Sequence, residues 1–174
     1  MSEYHDEYSE SLEREFRRLE DALLSDPVKI LAPSEPVRLA ADDTVARAIT
    51  EMVDRRRSAV VIVDAAGRLT GIFTERDVLT RVMRDRRDPD QIRLGDVMTP
   101  DPEALGPEDR VCYAVNRMHV AGYRSIPLVD GDRRPIGIVT VTDVVKWLAQ
   151  LFPEAVLNLR PGDRLKHPHQ VDAG

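Results

Sequence analysis

The chain has 174 residues, 42% hydrophobic and 32% charged, and its 25 lysines and arginines against 31 aspartates and glutamates give a formal charge of −6. This composition fits a globular protein of one compact unit or two small ones and excludes a disordered chain. The acidic balance and the 5% aromatic content disfavour a dedicated nucleic-acid binder.

The opening, Met1 to Glu7, is polar and acidic and lacks the apolar core of a signal peptide. The longest apolar run, Ala59 to Val63, falls far short of the roughly 20 residues of a membrane helix. The expected setting is the cytoplasm, with no membrane partner. From Tyr8 onward, Leu12, Phe16, Leu19 and Leu23 recur every three or four positions between charged residues. That spacing predicts an amphipathic helix ending before Pro27, its apolar stripe covered by the rest of the chain or by a partner chain.

The chain then repeats itself. Val60 to Leu79 and Ile126 to Val145 align at a constant offset of 66 positions, with identical pairs that include Val63/Val129, Asp64/Asp130, Gly71/Gly137, Thr74/Thr140 and Asp77/Asp143. The offset persists upstream at Asp43/Asp109, Val45/Val111, Ala48/Ala114 and Met52/Met118, so the sequence is a tandem duplication. In each copy Asp43 or Asp109 is expected to cap a helix, with Val45, Ala48, Ile49, Met52 and Val53, or Val111, Ala114, Val115, Met118 and Val120, on its apolar face. A strand follows at Val60 to Val63 or Ile126 to Val129, then a turn at Asp64 to Arg68 or Asp130 to Arg134, then a strand at Leu69 to Phe73 or Ile136 to Val139. A last helix starts at Thr74 or Thr140 and carries Val78, Leu79 and Val82, or Val144, Val145 and Leu148. With short extended pieces near Val37 to Leu39 and Glu103 to Leu105, each copy reads β-α-β-β-α, an α+β fold. A unit of about 60 residues is marginal alone, so the copies are expected to pack sheet against sheet, with clefts between them. Arg84 to Arg93 connects them, and the tail from Pro161 carries His167 and His169, expected to be solvated rather than metal-bound.

The shared motif is Gly-x-x-Thr-x-x-Asp, at Gly71 to Asp77 and at Gly137 to Asp143. Thr followed three residues later by an acid at a helix start approaches a capping box, although Asp is shorter than the usual Glu. The same geometry suits a nucleotide. A helix N-terminus and a threonine hydroxyl offer donors to phosphate, a carboxylate accepts from the two hydroxyls of a ribose, and glycine lets a flat base approach the backbone. On residue chemistry alone both readings stand.

Ser58 to Asp64 leading into Gly71 to Asp77, Asp96-Val97-Met98-Thr99-Pro100-Asp101, and Tyr123 to Asp130 leading into Gly137 to Asp143 together resemble a tandem pair of CBS domains, also called a Bateman module. The resemblance covers residues 28–150. It divides the chain into an N-terminal helix (1–27), a first CBS domain (28–88), a second (89–150) and a tail (151–174). It implies a pseudo-twofold α+β body that binds adenosine-containing ligands: AMP, ADP or ATP, with S-adenosylmethionine or NAD as alternatives and no required cofactor. It also implies that Asp77 and Asp143 hold ribose hydroxyls while Thr74 and Thr140 lie near phosphates. Thr99, Pro100 and Asp101 with Tyr123, Arg124, Ser125, Ile126 and Pro127 would wall the base, matched in the first copy by Ala32, Pro33 and Ser34 with Ser58, Ala59, Val60 and Val61. Arg76 and Arg124 are either phosphate partners or solvated surface cations. The first copy opens with Ala32-Pro33-Ser34 where the second has Met98-Thr99-Pro100, which implies weaker binding, or none, at the first cleft. The run Arg55 to Arg57 reads mainly as cations complementing a helix C-terminus.

The expected function is a non-enzymatic energy or metabolite sensor, acting as a homodimer and read by an effector protein. The alternative is a ligand-independent dimerisation scaffold in which the Thr–Asp pairs only cap helices. The sequence shows no Ser-His-Asp or Cys-His pattern, and Cys112, among Val111, Tyr113 and Ala114, reads as a packed thiol. His119 reads as a structural residue of its helix.

Overall fold

A computed structural model describes residues 3–151, leaving out the side chains of residues 3–12 and 15. The expectations for Leu12, for His167 and His169, and for the tail lie outside what is described. Helix α1 (Glu3–Ser25) leads into a short 3-10 turn (Val28–Leu31). The first copy then runs β1 (Arg38–Ala40), α2 (Val45–Asp54), β2 (Ala59–Val63), β3 (Leu69–Thr74) and α3 (Glu75–Asp77), which continues as a π-helical stretch over Val78–Met83. The second runs β4 (Thr99–Pro100), α4 (Val111–Val120), β5 (Ser125–Val129), β6 (Pro135–Thr140) and α5 (Val141–Leu151). No described helix is long and apolar enough to cross a membrane.

The first sheet has the order β1-β2-β3-β4, with β1 parallel to β2 and the other neighbours antiparallel. Its last strand is donated by the opening of the second copy, where Thr99 and Pro100 pair with Ile72 and Gly71. The exchange is reciprocal: Ser34, from the opening of the first copy, bridges Ile138 on β6 through backbone hydrogen bonds of 3.0 and 2.9 Å. Each copy therefore completes the other's sheet edge. The extended piece expected at Glu103 to Leu105 shrinks to one parallel bridge, Leu105 to Leu128.

Strand alternation distributes the core. On β2, Val60 and Ile62 face a first cluster with Val45, Ala48, Met52, Phe73 and Leu94, while Val61 turns to the other face and meets Leu69 of its own copy and Ile138 of the opposite one. All three inter-copy residues are buried, and each contributes roughly 1.5–3 kcal/mol against exposure. A second cluster gathers Val28, Val111, Ala114, Ile126, Leu128, Val139 and Trp147. Leu19, Ala22 and Leu23 of α1 pack on this second cluster, so the helix stripe is partly covered in cis, while Phe16 remains 68% exposed.

Several local expectations change. The cap of α2 is Thr44, whose hydroxyl accepts from Arg47 N at 3.2 Å, because the Asp43 carboxylate is already engaged by Ala40 N at 2.8 Å and by the Arg47 guanidinium. Likewise Asp109 turns back to Gly106 N at 2.7 Å and Arg110 stands at the N-cap of α4. Val53, Val120, Leu79 and Val145 are exposed, not buried. Val78 and Val82 share one face of their helix, so the adjacent Leu79 must point away. His119 is exposed, and Cys112 is half-buried.

Candidate ligand clefts between the two copies

The strand exchange places the motif of each copy against the opening and the helix-to-strand junction of the other. Two clefts result. One, of about 460 Å³, is lined by Thr74, Arg76, Asp77 and Arg81 from the first copy and by Thr99, Tyr123, Arg124, Ser125 and Pro127 from the second. The other, of about 930 Å³, is lined by Thr140, Asp143 and Lys146 from the second copy, and by Ser34, Arg56, Arg57, Ser58 and Ala59 from the first. Both volumes lie in the range of small-molecule sites. Ser58, Glu75 and Arg124 border both clefts, and Ser58 and Ser125 meet between them, Oγ to Oγ, at 3.3 Å. The Ala32-Pro33-Ser34 departure consequently belongs to the Asp143 cleft, not to the cleft of the first motif.

Some expected residues stay outside. Ile126 is fully buried in the second core because alternation along β5 turns it and Leu128 away from the face that Ser125 and Pro127 present to the cleft. Pro100 is exposed on the edge strand opposite Gly71, and Asp101 pairs with Arg133. Ala32, Pro33, Val60 and Val61 line neither cleft. The motif glycines do not make room for a base: a Cβ on Gly71 would overlap Met98 Sδ, and one on Gly137 would lie 3.0 Å from Pro33 Cβ. Their missing side chains are filled by the opening of the other copy.

Both threonine–aspartate pairs form capping boxes despite the short acid. Asp143 Oδ2 accepts from Thr140 N at 2.8 Å and from Thr140 Oγ1 at 2.7 Å, while Asp143 N donates to Thr140 Oγ1 at 3.3 Å. The first pair repeats this at 2.9, 2.7 and 3.4 Å. The threonine hydroxyl thus gives its proton to the carboxylate and is not a phosphate donor in this arrangement; it fixes the aspartate's orientation.

The two carboxylates differ in their second oxygen. Asp77, 7% exposed, has Oδ1 3.2 Å from Arg81 Nε. Asp143 Oδ1 has no protein partner among the described residues. The charge balance differs as well: Arg56, Arg57, Arg124 and Lys146 face two acids, Glu75 and Asp143, in the larger cleft. In the smaller one Arg76, Arg81 and Arg124 face Glu75, Asp77 and Glu103. None of the four cations of the larger cleft is ion-paired among the described residues. Arg56 also holds a left-handed φ of 52°, a conformation its 66-offset counterpart Gly122 adopts at 69°. A non-glycine residue there costs roughly 1–2 kcal/mol, a strain typical of functional positions. Arg56, Arg57, Arg81 and Lys146 are the lining cations that sequence reasoning missed; comparing the copies at their fixed offset was the available signal. Among the described residues there is no group of three or more His, Cys, Asp or Glu that could hold a metal.

A family model described as CBS domain matches residues 25–84 and 94–150. The CBS domain-containing protein CBSCBSPB3 of Arabidopsis thaliana is 28% identical over 87% of this chain and 29% of its own length. The chain spans less than a third of the first curated relatives it matches. Among solved structures, the CBS domain protein PAE2072 from Pyrobaculum aerophilum, complexed with AMP, superposes with a TM-score of 0.65 at 22% identity, covering 73% of this chain and 98% of that one. The CBS domain pair of protein MJ0100, complexed with 5-methylthioadenosine and S-adenosyl-L-methionine, gives 0.64 at 22% identity, with 71% and 96% covered. Both share the fold. With two matched segments spanning well over half its length, the chain belongs to the CBS-domain family.

Proposed function

We propose that this CBS pair is a non-enzymatic regulatory module that binds an adenosine-containing ligand of the AMP, ADP or ATP class in the Asp143 cleft. One observation carries the reading: a carboxylate held by Thr140 keeps a free oxygen inside a cleft lined by four cations without ion-pair partners. Asp143 Oδ1 is suited to the ribose diol, and Arg56, Arg57, Arg124 and Lys146 to phosphate, where charge-assisted bonds contribute about 1.5–3 kcal/mol each. The surplus of positive charge favours phosphate over the sulfonium of S-adenosylmethionine. AMP and S-adenosylmethionine in structural neighbours are consistent with the adenosine part. Binding would bias how the copies pack, through a difference in affinity between two arrangements, and an effector protein would read that bias. Leu79 and Val145, exposed at corresponding positions of the two copies, support a homodimer.

The test is thermal melting of the protein with AMP, ADP, ATP, NAD and S-adenosylmethionine, repeated on Asp143→Asn. A ligand at 100 times its Kd stabilises by about 2.7 kcal/mol, roughly 5–11 °C in Tm at this size. Asparagine retains an oxygen for the cap and replaces the free acceptor with an NH2 group. The phosphorylated ligands should raise Tm in the parent and lose most of that effect in the variant. No shift with any ligand, or shifts indifferent to Asp143→Asn, overturns the reading. The closed capping boxes favour one alternative, a ligand-independent scaffold, which would show self-association with no shift.

A further inference from the structure

The two clefts are copies of one design, yet only one aspartate is free. The geometry points to Arg81 as the residue that sets the ligand stoichiometry, an internal occupant of the Asp77 cleft that stands where a ribose would bind and limits the module to one nucleotide. This inference rests on the reading that the motif carboxylates hold ribose.

Three contacts hold Arg81 in place. Its Nε lies 3.2 Å from Asp77 Oδ1, Nη1 donates to Val97 O at 2.6 Å, and Nη2 donates to Thr99 Oγ1 at 3.1 Å. Asp77 Oδ2 is already filled by Thr74 N and Thr74 Oγ1, so with Arg81 on Oδ1 a single acceptor position remains, too few for both hydroxyls of a diol. Thr99, expected to wall a base, is tied up by the same guanidinium. Arg81 lies within the π-helical stretch Val78–Met83, a geometry common at functional sites. At the 66-residue offset the second copy has Trp147, 4% exposed, whose indole N–H points to Asp26 Oδ2 at 3.3 Å. Asp143 therefore has no cation four residues on. A ligand entering the Asp77 cleft has to displace a charge-assisted contact, a penalty of roughly 10–100-fold in affinity.

Calorimetric titration with AMP tests this on the parent, Arg81→Ala, Arg81→Gln, Asp77→Asn, and Asp77→Asn combined with Arg81→Ala, each confirmed folded by melting. The parent should bind one AMP, unaffected by Asp77→Asn. Arg81→Ala, or Arg81→Gln if the alanine variant does not fold, should bind one more AMP than the parent, and Asp77→Asn should abolish the added site. Two sites in the parent, loss of the parent's site on Asp77→Asn, or no added site in a folded Arg81 variant overturns the inference. A parent that binds no AMP beside an Arg81→Ala variant that binds one supports it while overturning the assignment to the Asp143 cleft.

Discussion

Replacing Gly137 with alanine separates two uses of the motif glycine, protein packing and room for a ligand. The added methyl would sit 3.0 Å from Pro33 Cβ, 3.3 Å from Pro33 Cγ and an ordinary 3.7 Å from Leu128 Cβ. Pro33 cannot swing aside, because its ring fixes the backbone and the next residue is clamped to Ile138 by hydrogen bonds of 3.0 and 2.9 Å. Overpacking of this kind costs about 1–3 kcal/mol, reduced by about 0.4–1 kcal/mol because alanine restricts the unfolded chain more than glycine. The net loss of roughly 1–2 kcal/mol corresponds to a Tm drop of about 2–8 °C. Gly71→Ala should cost less, since its methyl meets the flexible, half-buried thioether of Met98. Combining Gly71→Ala with Met98→Ala should recover part of the two single losses, a coupling of about 0.5–3 kcal/mol. Thermal and urea unfolding of these variants, with AMP titrations alongside, give the answer. A Gly137→Ala protein of unchanged stability that no longer binds nucleotide would refute the packing argument and restore the glycine to the ligand.

Thr140→Ala removes the hydroxyl that orients Asp143, so stability should fall by about 1 kcal/mol in urea unfolding, and AMP affinity should fall with it, whereas Thr140→Ser should retain both. Arg56→Gly relieves a left-handed φ and should raise stability by about 0.5–1 kcal/mol while weakening ATP more than adenosine, as measured by parallel melting and titration. Asp64 is held below the ordinary carboxylate range, foremost by the Arg68 backbone N–H, against some desolvation, with the Arg68 guanidinium and the Ala66 N–H adding to it. A depressed carboxylate stabilises the fold at neutral pH and loses that contribution as acid protonates it. The stability gap between the parent and Asp64→Asn should therefore narrow as pH falls below the usual aspartate range, and a gap independent of pH would contradict the assignment.

The duplication, the order of elements and the core strands were legible because period-two and period-3.6 patterns record which face of each element is buried, and Val60, Ile62, Ile126 and Leu128 obey them. What was not legible depends on contacts between the copies. Nothing local in Ala32-Pro33-Ser34 says that it joins the sheet of the other copy, so sequence alone assigns its departure to the cleft of its own motif. The caps shifted by one residue because Asp43 and Asp109 each had a nearer donor, Ala40 N and Gly106 N, that a sequence pattern does not weigh. Arg55 to Arg57 does close a helix, as its run of cations suggests, and the turn that follows it directs Arg56 and Arg57 into the larger cleft.

Duplication yields two equivalent clefts, and equivalence is lost wherever the copies diverge at positions lining them. Two such divergences point the same way. Arg81 against Trp147 satisfies one aspartate and leaves the other free. Arg56 against Gly122 puts a strained cation into the Asp143 cleft and a glycine into the Asp77 cleft. Meanwhile Arg124, Ser58 and Glu75 border both clefts. The divergence thus leaves one cleft with a free carboxylate and, among the described residues, unpaired cations, and the other with its carboxylate paired, an inequivalence that two identical copies could not provide.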